Sequence, residues 1–114
     1  MVLKSMNNIK TDSYYKDKIL EDINKIIEYT DGLSYQVFAC DEKVVDAVLF
    51  RLIQISENVK KLSGVFKMSY PQINWSEIVG FRNKIVHDYG KVDYMIVYEV
   101  LSQDIPKVKE QLDK

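Results

Sequence analysis

The segment from residue 42 to residue 63 constrains the fold of this chain more than any other stretch. Its apolar residues step by 3, 4, 3, 4 and 3 positions, the spacing of one helical face, and are Val45, Val48, Leu52, Ile55, Val59 and Leu62. Val44, Leu49 and Ile53 widen this stripe to a second flank. A helix that is apolar over so much of its circumference is buried on two sides. The sequence therefore predicts a helix with one side against its own chain and a second side available to a partner subunit.

The chain before this segment also predicts helical structure. Only four glycines and two prolines punctuate the whole sequence, so the elements between them are long. We predict a first helix over residues 12–31, with Asp12 or Ser13 as its N-cap and Gly32 as its left-handed end. Residues 33–40 then form a connection that has room for one helical turn.

The middle of the chain predicts a third helix after the central one. Asp41 is the predicted N-cap of the central helix, and Gly64 is its predicted end. A loop is predicted over residues 65–73. The third helix is predicted over residues 74–89, and it begins with a sequence that resembles a capping box. Gly90 is expected to stop it.

The last part of the chain predicts a fourth helix that starts near Asp93. Pro106 removes one backbone donor from this helix and should kink or restart it. Together the four segments predict a single all-α domain over residues 1–114. Its expected architecture is an up-and-down four-helix bundle, with a fifth short helix as an option.

The net charge of −1 argues against a nonspecific binder of polyanions, whose surface is usually strongly basic. It leaves room for a small, locally basic RNA site. No apolar run approaches the roughly 18 residues that a membrane helix needs. Residues 1–6 are not typical of a signal peptide. We therefore predict a cytoplasmic protein without a membrane partner.

Residues 82–89, the octapeptide, contain the only histidine of the chain, His87. Histidine has an unperturbed pKa of about 6.5, which suits proton transfer near neutral pH. In a straight helix Arg82 and His87 point about 140° apart, whereas Asn83 and His87 share a face. Three arrangements remain open. The helix loosens before Gly90, the long arginine side chain reaches around, or Arg82 of one subunit meets His87 of another.

The arrangement between subunits has a chemical attraction. RNA cleavage needs one group that takes the proton of the 2′-hydroxyl and another that protonates the leaving 5′-oxygen. A two-fold dimer would place two histidines and two arginines in one cleft, and the arginines would hold the phosphate without a metal or a cofactor. The alternative is a solvated or capping histidine, which the helix dipole favours near a C-terminus without any function.

Residues 74–89 resemble the signature of the HepT-like HEPN proteins. That signature is Arg, four residues, His, one residue and Tyr, usually with Asn directly after the Arg, and here it is Arg82, Asn83, His87 and Tyr89. Residues 46–57 resemble the second-helix segment of the family, although Ser56 stands where Gly is frequent. Asp104-Ile105-Pro106 resembles the Asp-Leu-Pro found near the C-terminus of the family, so the resemblance spans nearly the whole chain.

The resemblance implies an all-α homodimer that is the toxin of a bacterial or archaeal toxin–antitoxin pair. It implies a metal-independent endoribonuclease in which Arg82 and His87 are catalytic and Asn83 orients them or the RNA phosphate. It implies that Tyr89 accepts AMP from an MNT-type nucleotidyltransferase antitoxin that uses ATP and Mg²⁺. Two other interpretations remain open. One is a non-catalytic dimeric nucleotide-binding accessory subunit of the transferase, and the other is a structural helical adaptor.

Overall fold

A computed structural model describes residues 10–114 as helices with short connections and one small hairpin. The predicted all-α class is confirmed. The segment considered above as a signal peptide, residues 1–6, lies outside the described residues. The helices and strands in chain order are α1 (Asp12–Thr30), α2 (Tyr35–Cys40), α3 (Glu42–Lys60), α4 (Gly64–Met68), α5 (Trp75–Val79), α6 (Phe81–Ile85), β1 (Val86–His87), β2 (Lys91–Val92), α7 (Tyr94–Glu99) and α8 (Ile105–Leu112).

The N-cap of helix α1 lies one residue before the first of its two predicted caps. The N-cap is Thr11, whose hydroxyl accepts a hydrogen bond from the Tyr14 backbone N–H at 3.3 Å. The prediction of Asp12 or Ser13 was wrong because the Asp12 carboxylate is engaged elsewhere. It accepts from the Ser63 backbone N–H at 2.8 Å and from the Ser63 hydroxyl at 2.6 Å. The predicted left-handed end is confirmed, since Gly32 has φ +74°.

Helix α3 has the predicted start but a different end. Asp41 caps it by accepting from the Val44 backbone N–H at 3.2 Å. The helix ends at Lys60, so the predicted end at Gly64 was wrong. Gly64 instead begins α4, because the Ser63 hydroxyl accepts from the Phe66 N–H at 3.1 Å and caps a new helix. Helix α4 therefore occupies the first part of the predicted loop.

Five of the six residues of the predicted apolar stripe lie on α3 and are fully buried, and the sixth, Leu62, is buried just beyond the end of the helix. The stripe packs against the buried isoleucines of α1. The core also takes side chains from every later helix except α4, and its fully buried members include Ile19, Ile23, Ile26, Phe38, Leu52, Ile55, Phe81, Ile85, Ile105 and Leu112. Of the predicted second flank, Val44 and Leu49 are half-buried against the core, whereas Ile53 is 43% exposed. Phe50, one turn before Ile53, is 55% exposed. Within residues 10–114, none of the helices combines the length and the apolar character of a membrane span.

The predicted third helix, residues 74–89, was wrong as a single element. Asn74 does cap α5, since its side-chain oxygen accepts from the Glu77 backbone N–H at 3.1 Å. The helix is interrupted at Gly80, and α6 ends at Ile85. The chain becomes extended at Val86, where φ is −107° and ψ is 119°. Gly90 therefore lies in a hairpin loop and does not stop a helix.

The C-terminal helix has the predicted start and the predicted interruption. The Asp93 carboxylate caps α7 by accepting from the Ile96 backbone N–H at 3.1 Å. A π-helical stretch, Val100–Asp104, then separates α7 from α8. Pro106 lies in the first turn of α8, where a missing N–H is tolerated. The predicted restart of the helix at Pro106 is confirmed.

Candidate active site

A two-stranded hairpin carries the histidine of the octapeptide. Strand β1 pairs with β2 in antiparallel register, with Val86 opposite Val92 and His87 opposite Lys91. β-Branched valines favour such extended pairing. The helix therefore ends before Gly90, as the first of the three arrangements expects, and the 140° that separates Arg82 and His87 on a straight helix no longer applies.

The predicted site residues form two neighbouring groups. Arg82 and Asn83 both lie on α6 and are exposed, and the Arg82 guanidinium donates to the Asn83 side-chain oxygen at 3.5 Å. Among the hydrogen bonds of residues 10–114, none joins Arg82 to His87. The structure therefore pairs Arg82 with Asn83 and places His87 just beyond them on the hairpin.

His87 is held by a carboxylate that the motif does not contain. Its Nε2 lies 3.5 Å from Oδ2 of Asp93, and its side chain is 51% exposed. Asp93 is itself fixed, since its other carboxylate oxygen caps α7 and its backbone N–H donates to the Ile85 carbonyl at 2.8 Å. Asp93 therefore pairs with the imidazole as an ion pair when the imidazole is protonated. The sequence marked it only as a helix start, and recognition of the hairpin would have placed it beside His87.

The two lysines near the motif differ in their availability. The Lys84 ammonium lies 3.5 Å from a Glu77 oxygen and 3.6 Å from an Asp104 oxygen, so two carboxylates already neutralise it. Lys91 is exposed opposite His87, and neither Lys91 nor Arg82 joins an ion pair with a described residue. The cations left for an anionic substrate near the motif are therefore Arg82 and Lys91.

An open cleft of about 770 Å³ lies beside the hairpin. Its lining includes Tyr35, His87, Lys91, Asp93, Tyr94 and Met95. The cleft combines a proton-transfer group, a cation and aromatic rings within one chain, so it has the chemistry to receive a segment of nucleic acid. Within the described part of the chain, no three histidine, cysteine, aspartate or glutamate side chains are grouped as a metal site.

Tyr89 occupies the tip of the hairpin in an unusual backbone conformation. Its φ of 60° and ψ of 27° are left-handed, and Gly90 follows with φ +75°. For a residue other than glycine this conformation costs roughly 1–2 kcal/mol. The tyrosine side chain is 100% exposed. Its hydroxyl is therefore open to solvent and within reach of another macromolecule.

The all-α fold, with Arg82 and Asn83 exposed on α6 and His87 exposed on the hairpin, defines a helical domain of the HEPN type. A family model described as "Ribonuclease HepT-like" matches residues 19–114. The chain belongs to the HepT-like ribonuclease family. This membership confirms the resemblance inferred from the motif and places the chain among the ribonucleases.

Relatives from several organisms share most of their length with this chain. A Thermococcus cleftensis protein named "Probable ribonuclease HepT" is 34% identical over 100 residues, which cover 88% of this chain and 91% of the relative. Two others are named as candidate RNases. The relative from Caldanaerobacter subterraneus is 33% identical over a region that covers 91% of this chain and 93% of the relative. The relative from Methanocaldococcus jannaschii is 32% identical over a region that covers 83% of this chain and 87% of the relative. No solved structure matches the chain.

Proposed function

We propose that this chain is the endoribonuclease toxin of a toxin–antitoxin pair, with an active site shared by two subunits. One observation carries the proposal: in a chain of the HepT-like ribonuclease family, His87 is exposed at an open cleft and held by Asp93 at 3.5 Å. Exposed imidazoles with a fixed carboxylate partner are suited to acid–base catalysis.

The proposed reaction moves two protons and exchanges one bond to phosphorus. The 2′-oxygen of RNA loses its proton and attacks the adjacent phosphorus, the bond from phosphorus to the 5′-oxygen breaks, and the leaving 5′-oxygen gains a proton. The products are a 2′,3′-cyclic phosphate and a 5′-hydroxyl. His87 is the proton-transfer group, Arg82 stabilises the charge on the phosphate oxygens, and Asn83 orients the arginine, with which it shares a hydrogen bond.

A homodimer completes this site in the proposal. Each chain supplies one histidine, whereas the reaction needs a base and an acid on opposite sides of the phosphate. The exposed apolar side chains of α3, Phe50 and Ile53, support self-association because exposed apolar patches favour burial against a partner. Phe50→Glu is expected to shift the chain toward monomer in sedimentation experiments, and Val65→Glu, at a side chain 80% exposed on α4, is the control. A wild-type monomer at micromolar concentration that still cleaves RNA would rule out the shared site.

Inhibition by an MNT-type nucleotidyltransferase is the second part of the proposal. The Tyr89 hydroxyl would give up its proton, and its oxygen would attack the α-phosphorus of ATP, form a phosphodiester to AMP and release pyrophosphate, with Mg²⁺ and ATP held by the transferase. The full exposure of the tyrosine at a hairpin tip supports this role. The added bulky anion, two residues from His87, would obstruct the cleft and repel RNA phosphate.

RNA cleavage by single variants tests the nuclease proposal. His87→Ala is expected to lower the cleavage rate by about 10²–10⁴-fold, the usual contribution of a general acid or base. Arg82→Ala should also lower it strongly, because a phosphate oxygen loses its charged donor. Lys84→Ala is the matched control, since this lysine of the same helix is already paired with Glu77 and Asp104. Wild-type protein that leaves RNA intact, or His87→Ala with full activity, would favour the accessory-subunit interpretation.

Mass spectrometry after incubation with the transferase, ATP and Mg²⁺ tests the modification. The wild-type chain should gain the mass of AMP, Tyr89→Phe should gain none, and Tyr14→Phe should react as wild type. Tyr14 is a suitable control because it is also exposed, at 39%, but lies on α1. An AMP group on the Tyr89→Phe chain would show that another residue is the acceptor.

A further inference from the structure

We infer that the cleft beside His87 binds one unpaired nucleobase of the RNA substrate between the rings of Tyr35 and Tyr94 and the side chain of Lys91. This inference deepens the proposed function, because it names the kind of RNA that the same site accepts. We call this surface the base cleft. Its volume of about 770 Å³ lies within the roughly 300–1,000 Å³ typical of small-molecule sites.

Two aromatic rings form part of the wall of the base cleft. Tyr35 and Tyr94 are both half-buried and both line it. The Tyr35 ring meets Tyr98 edge-on, with centroids 5.6 Å apart and planes at 75°. The Tyr98 hydroxyl in turn donates to the Leu33 carbonyl at 2.9 Å, so the support of the Tyr35 ring is fixed. Rings held in place stack on any base with little loss of side-chain freedom.

Lys91 supplies a cation on the side of the cleft that holds the histidine. In an antiparallel pair, directly opposite residues project from the same face, and His87 is opposite Lys91. The carboxylate that lines the cleft, Asp93, is already engaged with His87 and the Ile96 N–H. Lys91 is therefore available to a phosphate that adjoins the bound base, and this places the ribose near the imidazole.

The base that enters this cleft must be unstacked. Bases within an A-form duplex are paired and stacked, and the deep, narrow major groove keeps side chains away from them. Single strands, loops and bulges release a base for stacking on protein rings. The expected substrate class is therefore single-stranded RNA or an RNA loop, and duplex RNA should bind weakly.

Binding experiments with an uncleavable ligand test the base cleft without relying on catalysis. The probe is a fluorescein-labelled 2′-fluoro RNA 12-mer, which lacks the attacking hydroxyl, offered as a single strand or annealed to its complement. Fluorescence anisotropy should show that the wild-type chain prefers the single strand by about tenfold or more. Tyr94→Leu and Tyr35→Leu should weaken single-strand binding about tenfold, the scale of one lost base–ring stack.

Conservative and matched variants distinguish the loss of a stacking ring from a loss of folding. Tyr94→Phe and Tyr35→Phe keep the ring and should bind almost as wild type. Tyr14→Leu removes an exposed tyrosine remote in sequence from the hairpin and should have no effect. If Tyr35→Leu misfolds because Tyr98 loses its neighbour, as circular dichroism would show, Tyr94→Leu carries the test.

The outcomes distinguish this inference from the proposed function. Loss of binding in the leucine variants supports the base cleft, even if wild-type protein cleaves no natural RNA and the nuclease proposal fails. Unchanged single-strand binding in both leucine variants overturns the base cleft, even if His87→Ala abolishes cleavage and the nuclease proposal holds. Equal affinity for single strand and duplex also overturns it.

Discussion

Two regions of this molecule are built in opposite ways. The long-helix pair, α1 and α3, consists of two continuous 19-residue helices whose inner faces are fully buried. The motif segment, residues 74–93, contains no helix longer than five residues and ends in a hairpin with most of its polar side chains exposed. Regular packing stabilises the long-helix pair. In the motif segment, the interruptions of the helix determine the directions of the functional side chains.

The interruption in the motif segment has a geometric consequence. On one straight helix Arg82 and His87 would point about 140° apart. The change from helix to strand after Ile85 removes this restriction and brings His87 to Asp93. The hairpin loop holds Tyr89 in the left-handed region, and such strained residues are found preferentially at functional sites. The comparison predicts that stability depends on the helix pair and activity on the motif segment.

Leu52→Ala is expected to give the largest change in stability. Leu52 is fully buried on α3, so its truncation should lower the free energy of unfolding by about 2–5 kcal/mol. The neighbouring Ile53→Ala is the control, since that side chain is 43% exposed, and its loss should be much smaller. His87→Ala should stay within about 0.5 kcal/mol of wild type. Urea denaturation measures all three, and a large loss in His87→Ala would contradict the division between the two regions.

Two substitutions of Asp93 are expected to separate its role as the N-cap of α7 from its contact with the His87 imidazole. Asp93→Ala removes both and should cost about 1 kcal/mol of stability, the usual value of an N-cap. Asp93→Asn keeps a good capping side chain and should be nearly as stable as wild type, yet it removes the charge beside His87.

Cleavage assays of the two Asp93 variants complete this prediction. Both should cleave RNA about tenfold more slowly than wild type, on the scale of one lost charge-assisted contact of about 1.5 kcal/mol. A changed pH profile in Asp93→Asn, at unchanged thermal stability, would identify an effect on the imidazole. Wild-type activity and pH profile in Asp93→Asn would show that the carboxylate has only the capping role.

The extent to which the structure could be predicted from the sequence follows the same division. The stripe of α3, its Asp41 cap and the left-handed Gly32 were predicted because local helical rules and burial agree there. The α6–β1 boundary was missed because the apolar residues Phe81 and Ile85 keep the spacing of a helical face. Residues 81–86 also contain no proline or glycine that would mark the end of a helix. Val86 pairs with Val92 across a loop, and such a contact cannot be predicted from helical periodicity.

The residues of the candidate site stay a prediction from the sequence, and their geometry was predicted only in part. Arg82, Asn83, His87 and Tyr89 were identified by their spacing and family resemblance, and the structure describes all four as exposed. Asp93 was missed as a partner of His87, and the neutralisation of Lys84 by Glu77 and Asp104 was missed as well. Both errors concern side-chain contacts that depend on the hairpin and on tertiary packing.

Gly90→Ala is expected to destabilise the hairpin through its backbone alone. Gly90 has φ +75°, and an added Cβ would meet no atom within 4 Å, so the strain of a left-handed alanine is the full effect. This strain is roughly 1–2 kcal/mol. Gly64→Ala is the matched control, because its Cβ also meets no atom and its φ is not left-handed. Thermal denaturation that ranks the two variants equally would contradict this account of the loop.

The smallest expected effect concerns the Asp12 carboxylate, in the first turn of α1. Hydrogen bonds from the Ser63 hydroxyl and then from its backbone N–H lower the pKa of Asp12 below its ordinary value of 3.8. A carboxyl with a lowered pKa in the folded state stabilises the fold above its ordinary pKa, and this contribution is lost as the pH falls through the folded value. The stability difference between wild type and Asp12→Asn should therefore be largest near neutral pH and shrink below about pH 4.

Asp17→Asn is the matched control for Asp12, because Asp17 is an exposed aspartate of the same helix without a hydrogen bond or ion pair to a described residue. Its stability relative to wild type should stay nearly constant over the same pH range. Thermal denaturation from pH 7 to pH 3 compares the three proteins. A difference for Asp12→Asn that grows as the pH falls would mean that the contact with Ser63 favours the protonated carboxyl. In that case the hydrogen bonds between Asp12 and Ser63 would not depend on the charge of the carboxylate.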